Sequence, residues 1–422
     1  MPGPLAGVRV VEFTQIIAGP FGGMLLADLG AEIIKVEPPE GEPWRHQASA
    51  VRGESRNFHS LNRGKRDLVV DLSRPEARPV VERLARWADA AIINYRPGTA
   101  ERLGIDYETL ARLNPRLIYC ENTAFGRRGP LAGLAGYDLI VQAASGQLVS
   151  DGKARDGVPA PTVPAVADFS AGILIALGVT AALYHRKETG RGQRVDVSLL
   201  GAALAVLTNQ WNYQAAVDVE WLPGFLEELN RLRREGRPYE EMLALRQNRR
   251  AVLRGQIYYR VYQTRDSFVA VACLSNALRA RFLQVTGLQD PRFQDPGRAD
   301  PTIPFDELGP RLVEEAEALF RTRTTDEWIE AFQAAGIPVG PVRFPEELWD
   351  DPQILANDLV VEFDHPALGP FKMAGPPLRF SETPVEAGTP SPTLGQHTDE
   401  VLRSLGFDDE AIQGWRDAGV VR

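Results

Sequence analysis

Val8-Arg9-Val10-Val11-Glu12-Phe13, the turn residues Ala18-Gly19-Pro20, and Ala31-Glu32-Ile33-Ile34-Lys35-Val36-Glu37 decide how this chain folds. Both flanking runs are short, β-branched and bounded by turn formers, which marks them as strands. Leu25 and Leu26 belong to a helix between them that stops at Gly30, where a left-handed residue is expected. The unit repeats: Asp67 to Leu72 reads as strand, Pro75 to Ala88 as helix and Ala90 to Asn94 as strand. Pro75 suits a first helical turn, where the missing N–H has no partner to lose. Leu117 to Glu121, helical segments near Leu139 to Gln147 and Phe169 to Lys187, and Arg194 to Ser198 extend the pattern. Strands separated by helices predict an α/β fold with a doubly wound parallel sheet. Such sheets bind ligands beyond their carboxyl ends, which directs attention to Thr14–Pro20, Asn94–Gly98 and Asn122–Gly126.

Further along, the texture changes. From about Trp221, a highly charged helical stretch (Glu227 to Arg250) precedes a hairpin from Val261 to Ala272, with its turn at Thr264-Arg265-Asp266-Ser267. The expected organisation is a large domain over 1–220, a small α+β domain over 221–335, and a proline-rich return over 336–422.

The 422 residues carry a net charge of -9, with a pI near 5.3, which argues against a nucleic-acid or anionic-membrane partner. Cys120 and Cys273 lie in apolar runs and read as buried thiols of a reducing compartment. No secretory leader precedes the first strand, and the apolar helix around Ala171 to Tyr184 is short for a bilayer, so a cytoplasmic protein is expected.

Three segments are candidates for chemistry. The Ala18–Gly23 turn followed by Glu37 superficially suggests a dinucleotide site, but its glycine spacing is wrong and Pro20 lacks a donor. That disfavours nicotinamide and leaves a plain turn or another nucleotide-containing ligand. Asn94-Tyr95-Arg96-Pro97-Gly98, with Arg102 beyond, offers a ring that can stack on adenine and guanidinium groups for phosphates, or is simply a solvated turn. Asp168, just before an Ala-rich helix, reads first as an N-cap, yet an ionised carboxylate there can also be a covalent nucleophile. His46, His59, His185, His365 and His397 show no metal-ligand spacing, and no serine sits in a nucleophile elbow.

Together with Leu29-Gly30-Ala31-Glu32, Leu61-Asn62-Arg63-Gly64-Lys65-Arg66, Gly136-Tyr137-Asp138, Thr189-Gly190-Arg191-Gly192-Gln193 and Leu394-Gly395-Gln396-His397-Thr398, these segments resemble the family III CoA-transferases over nearly the whole chain. The resemblance implies a Rossmann-like large domain built from both chain ends, an inserted small domain, and an interlocked homodimer. It implies acyl-CoA and small carboxylic acids as substrates, with no metal and no nicotinamide. CoA would lie over Ile17-Ala18 and Asn94, Tyr95 and Arg96, with Arg102 near its phosphates and Tyr137 near the thioester. Asp168 would be the catalytic nucleophile, passing through a mixed anhydride and an aspartyl-CoA thioester.

Two departures refine this expectation. Related α-methylacyl-CoA racemases carry histidine where this chain has Tyr137, and a tyrosine is a poor second base, so a racemase-like isomerase is the alternative reading. A non-catalytic acyl-CoA-binding paralogue is a third. Pro38 replaces a basic residue, and Arg254-Gly255-Gln256 stands where the formyl-CoA branch has a tetraglycine loop, so oxalate and formate are not expected as substrates. Arg254 and Arg260 are candidate ligands for a dicarboxylate.

Overall fold

The computed structural model describes residues 3–47, 49, 51, 53–150, 152–249, 256–293 and 305–422. The chain forms two compact units, residues 1–218 with 352–422, and residues 219–351.

The first unit is built on six strands and the helices between them. These are β1 (Arg9–Phe13), α1 (Ala18–Asp28), β2 (Glu32–Glu37), β3 (Lys65–Val69), α2 (Arg78–Trp87), β4 (Ala90–Ile93), β5 (Ile118–Thr123), α3 (Asp138–Ser145), α4 (Val166–Thr189), β6 (Gln193–Ser198) and α5 (Leu199–Leu207). The strand order is β3-β2-β1-β4-β5-β6, and every neighbouring pair is parallel. The order reverses between β1 and β4, and their carboxyl ends diverge to leave a crevice there.

Both faces of the sheet are covered. One carries α2 and the C-terminal helices Thr398–Ser404 and Asp409–Asp417, whose Val401, Leu402, Leu405 and Ile412 pack with Val11, Ile34, Val80 and Leu84. The other carries α1, α4 and α5, through Leu26, Ala171, Ile175, Val179 and Ala202 against Val10, Ile33, Ile92 and Cys120.

Several boundaries differ from the sequence reading. β3 runs from Lys65 to Val69 rather than from Asp67 to Leu72, because Lys65 and Arg66 look like loop residues, whereas Lys65 is buried in an ion pair with Glu12. α4 is 24 residues, longer than its apolar centre suggested, and is long and apolar enough to cross a bilayer. Its Ala171, Gly172, Ile175, Ala176, Val179 and Ala182 are instead buried in the first unit, which identifies a core helix.

In the second unit, β7 (Tyr259–Gln263), β8 (Phe268–Ala272) and β9 (Val339–Pro341) form an antiparallel sheet in the order β9-β8-β7. Trp328, Phe320, Phe332 and Phe282 stack beneath it. Pairing of β9 with β8 keeps residues 336–351 in this unit, so the return to the first unit comes at Pro352 rather than at 336. The charged stretch forms helices Ala215–Arg234 and Tyr239–Arg249, laced by pairs such as Arg231–Glu235 and Arg237–Glu241.

Candidate active site

Three strand ends build a cleft at the switch point. β1 delivers Gln15, Ile16 and Ile17, β4 delivers Asn94, Tyr95, Arg96 and Pro97, and β5 delivers Asn122, Thr123 and Ala124. Leu134, Ala135, Gly136 and Tyr137 lead into α3 along a further wall, and Leu199 and Asp168 complete it. The ends of β1 and β4 are stitched together by one side chain: Asn94 accepts the Gln15 N–H through Oδ1 at 2.9 Å and donates through Nδ2 to the Gln15 carbonyl at 2.8 Å.

Of the expected residues, Ile17, Asn94, Tyr95, Arg96, Tyr137 and Asp168 therefore share one cleft. Tyr95 also packs against the core, while Arg96 lies exposed, its guanidinium 3.5 Å from the Tyr137 hydroxyl. Ala18 is buried as the first residue of α1, and Arg102 is exposed on the short helix Thr99–Leu103; neither lines the cleft. Gln15, Asn122 and Thr123 were not singled out individually by the sequence reading. Asn122 is 5% exposed and its Oδ1 has no hydrogen-bond partner among the described residues.

Asp168 is not the N-cap that its sequence context suggested. It is the third residue of α4, 7% exposed. The capping role falls to Asp138, whose Oδ1 accepts the N–H groups of Ala167 at 2.9 Å and Asp168 at 3.3 Å. Gln142 holds Asp138 in place by donating to its other carboxylate oxygen. Gln142 in turn bonds both backbone groups of Thr162, at 3.0 and 2.9 Å. The free N–H groups of the helix thus serve Asp138. Burial, with the Asp138 carboxylate beside it, pushes the Asp168 carboxyl up from 3.8 to about 7. The expected stabilisation of Asp168 as an anion by its helix is outweighed here.

Packing sets the position of Asp168 relative to Ile17. α4 crosses α1 where Gly172 meets Gly22: a Cβ on Gly172 would come within 2.8 Å of the Phe21 ring and 2.9 Å of the Ala18 carbonyl. Phe169 adds an edge-to-face contact with Phe21 at 5.0 Å.

Glu37, the acid a dinucleotide site would use for a ribose, is committed elsewhere. It is buried and accepts bonds from Arg45 Nε at 2.9 Å and Nη2 at 2.7 Å. Lys35, Lys65 and Glu12 are also buried; both lysines reach Glu12 Oε1, at 3.3 and 2.9 Å.

The fold also brings together a group that sequence spacing did not reveal, Glu54, His59 and His365, with potential ligand atoms within 4.8 Å of one another. Only part of this group is engaged: His59 Nε2 and Glu54 Oε2 lie 3.0 Å apart, and neither has a hydrogen-bond partner among the described residues. His365 Nδ1 accepts from the Ala367 and Leu368 N–H groups, so Nε2 carries the proton and donates to the Ser391 carbonyl at 3.0 Å. Metal binding at His365 Nε2 would need the opposite tautomer. In the second unit, Arg260 is paired to Glu317; Arg254 and Gly255 lie outside the described residues.

Comparison with known proteins agrees with this geometry over the full length. CoA-transferase family III matches residues 5–398. A succinate–glutarate CoA-transferase of Agrobacterium fabrum is 33% identical over 95% of this chain and 96% of its own. A formyl-CoA:oxalate CoA-transferase of Rhodopseudomonas palustris is 31% identical over 98% and 96%. Among solved structures, a CaiB/BaiF family protein from Brucella suis superposes with a TM-score of 0.74 at 27% identity, covering 96% of this chain and all of the other. A strand-end cleft holding a buried aspartate, within a fold shared end to end with these proteins, makes this chain an enzyme that belongs to CoA-transferase family III.

Proposed function

We propose that the protein is an acyl-CoA:carboxylate CoA-transferase in which Asp168 is the covalent nucleophile. The observation that carries this reading is the state of Asp168. Among the described residues lining the cleft it is the one carboxylic acid, and no imidazole accompanies it. A value near 7 leaves a substantial ionised fraction at neutral pH and makes that carboxylate more basic than an ordinary one. A two-base isomerase needs a partner base across the substrate, and Tyr137 is a poor substitute.

In the first step, an Asp168 carboxylate oxygen attacks the thioester carbonyl of the donor acyl-CoA. The C–S bond breaks, CoA leaves as thiolate, and a mixed anhydride remains. The thiolate then attacks the Asp168 carbonyl carbon, releasing the donor acid and leaving an aspartyl-CoA thioester. The acceptor carboxylate attacks that thioester and expels the thiolate again. Finally the thiolate takes the acceptor acyl group and returns Asp168 as carboxylate. Every bond exchanged joins activated acyl groups, so the covalent stages replace one direct attack between weak partners.

Acyl-CoA is proposed to run over Ile17 and Ala18 and past Asn94, Tyr95 and Arg96, with Arg102 toward its phosphates and Tyr137 beside the thioester. The two relatives above carry different acids in their names at nearly equal identity, so acceptor choice is tested with a panel rather than inferred from them. A homodimer fits α4, whose Ile173, Leu177 and Tyr184 leave an apolar face 54%, 62% and 72% exposed. The unpaired, buried Cys120 and Cys273 are consistent with a reducing, cytoplasmic setting.

The test is covalent trapping. The protein is incubated with succinyl-CoA and glutarate, oxalate, formate or acetate, quenched with hydroxylamine, and mapped by peptide mass spectrometry. A hydroxamate on Asp168 is the expected result. Transfer at the wild-type rate by Asp168→Ala would refute the mechanism, and deuterium exchange at the α-carbon without transfer would favour the isomerase.

A further inference from the structure

The Gln15–Ile17 wall of the cleft is held in a conformation that its own residues do not favour. Ile16 has φ of 71°, in the left-handed region where a β-branched side chain crowds its own backbone. Such a residue persists where its surroundings over-determine it. Here the surroundings are buried charge. The Ile16 N–H donates to Glu42 Oε2 at 2.7 Å, and Glu42 is 2% exposed. Its other oxygen lies 3.4 Å from the ammonium of Lys35, which is fully buried. Lys35 also donates to the Thr14 carbonyl at 2.9 Å. One ion pair therefore grips the turn on both sides of Gln15, whose own backbone is bracketed by Asn94. Glu42 is anchored in its turn, because its N–H donates to Glu37 Oε2 at 2.8 Å.

Glu42 does not itself line the cleft. We propose that Glu42, anchored by Lys35, is a positioning residue for CoA transfer: by holding Ile16 left-handed, it fixes the Gln15–Ile17 backbone against which the acyl-CoA thioester lies. The proposal rests on the reading that this cleft takes acyl-CoA. It also separates Glu42 from an ordinary buried ion, which would support the fold without acting on one turn.

The discriminating experiment is a double-mutant cycle between Glu42→Leu and Ile16→Gly, with KM and kcat for acyl-CoA, thermal melting, and hydrogen exchange of residues 14–18 in the unliganded protein. Glycine carries no steric cost at positive φ, so the part of Glu42's effect that offsets strain at Ile16 is absent in that background. Glu42→Leu is expected to raise KM about tenfold in the wild-type background, with a smaller fall in kcat, and to speed exchange at Ile16. In the Ile16→Gly background the same substitution is expected to change KM less than about twofold. Glu42→Gln, which keeps an acceptor for the Ile16 N–H, is expected to disturb KM less than Glu42→Leu.

An equal KM penalty in both backgrounds, or none in either, overturns the proposal. Should Glu42→Leu not fold, Ile16→Pro removes both the N–H and the positive φ while leaving Glu42 in place, and an unchanged KM there overturns it as well. Absence of acyl-CoA turnover by wild type refutes the functional reading and the proposal together. Turnover by wild type with a wild-type KM in Glu42→Leu refutes the proposal alone.

Discussion

Asp138 accepts the backbone N–H of Asp168 through Oδ1 at 3.3 Å, so two carboxyl groups meet at the first turn of one helix. One of them satisfies the helix, and the other is left with its charge disfavoured. That division predicts how pH and substitution act here.

Replacing Asp168 should stabilise the protein at alkaline pH. Its folded value of about 7 lies above the ordinary 3.8, so the native state holds the proton more tightly than the unfolded chain. The carboxyl therefore costs nothing below about pH 4, destabilises increasingly between about pH 4 and 7, and carries its full cost above that. Asp168→Asn is expected to raise the melting temperature at pH 8, by at most the equivalent of about 4 kcal/mol, and to leave it unchanged near pH 4. Activity should fall by roughly three orders of magnitude or more. Calorimetry at the two pH values checks the first, and steady-state assay the second.

The acid limb of kcat/KM should report Asp168 with an apparent pKa near 7. Asp138→Asn keeps an oxygen for the Ala167 and Asp168 N–H groups but removes the neighbouring charge. The limb should move to lower pH in this variant, with a loss of stability of about 1–3 kcal/mol because the new amide NH2 faces the Gln142 donor. An unmoved limb in a pH–rate profile would show that Asp138 does not tune the nucleophile.

Gly172 has no room for a side chain. The Ala18 carbonyl, 2.9 Å from a Cβ there, is backbone and belongs to the residue that follows Ile17. Gly172→Ala should push α4 off α1, costing about 1–3 kcal/mol and lowering kcat/KM through misplacement of Asp168. Denaturant titration and kinetics on the same preparation measure both effects.

Asn122 places a buried amide oxygen with no partner among the described residues on the cleft wall. An apolar residue of similar size removes that penalty, so Asn122→Leu should stabilise the unliganded protein by about 1 kcal/mol. It should weaken acyl-CoA binding if the amide meets the ligand, as seen in KM. Loss of stability together with unchanged KM would mean that the amide serves the fold alone.

The sheet was legible because its strands announce themselves: Val8–Phe13 and Ala31–Glu37 are apolar and β-branched, with a glycine stop between helix and strand. Lys65 hid the start of β3 because buried charge in a strand looks like a loop until its partner, Glu12, is brought beside it. Asp168 could be singled out from its neighbours, but not its ionisation. That depends first on burial in the folded cleft and then on Asp138, 30 positions earlier in the chain and invisible to local capping rules. In the same way, nothing adjacent to Ile16 signals positive φ, since its restraint comes from Glu42, 26 positions away. Local pattern fixes elements; long-range polar pairing fixes the site.

Val70 bridges Val421, and the Asp71 N–H bonds to the Val420 carbonyl. The segment after the last helix thereby ties the C-terminal helices to one face of a sheet whose strands lie within the first 198 positions. During synthesis, that face has only α2 and its neighbours as cover until some 200 further residues have emerged, while residues 219–351 form a contiguous unit that is complete earlier. The second unit is thus free to mature early, whereas the first leaves its Val80 and Leu84 surface without Val401, Leu402 and Ile412 until those residues emerge.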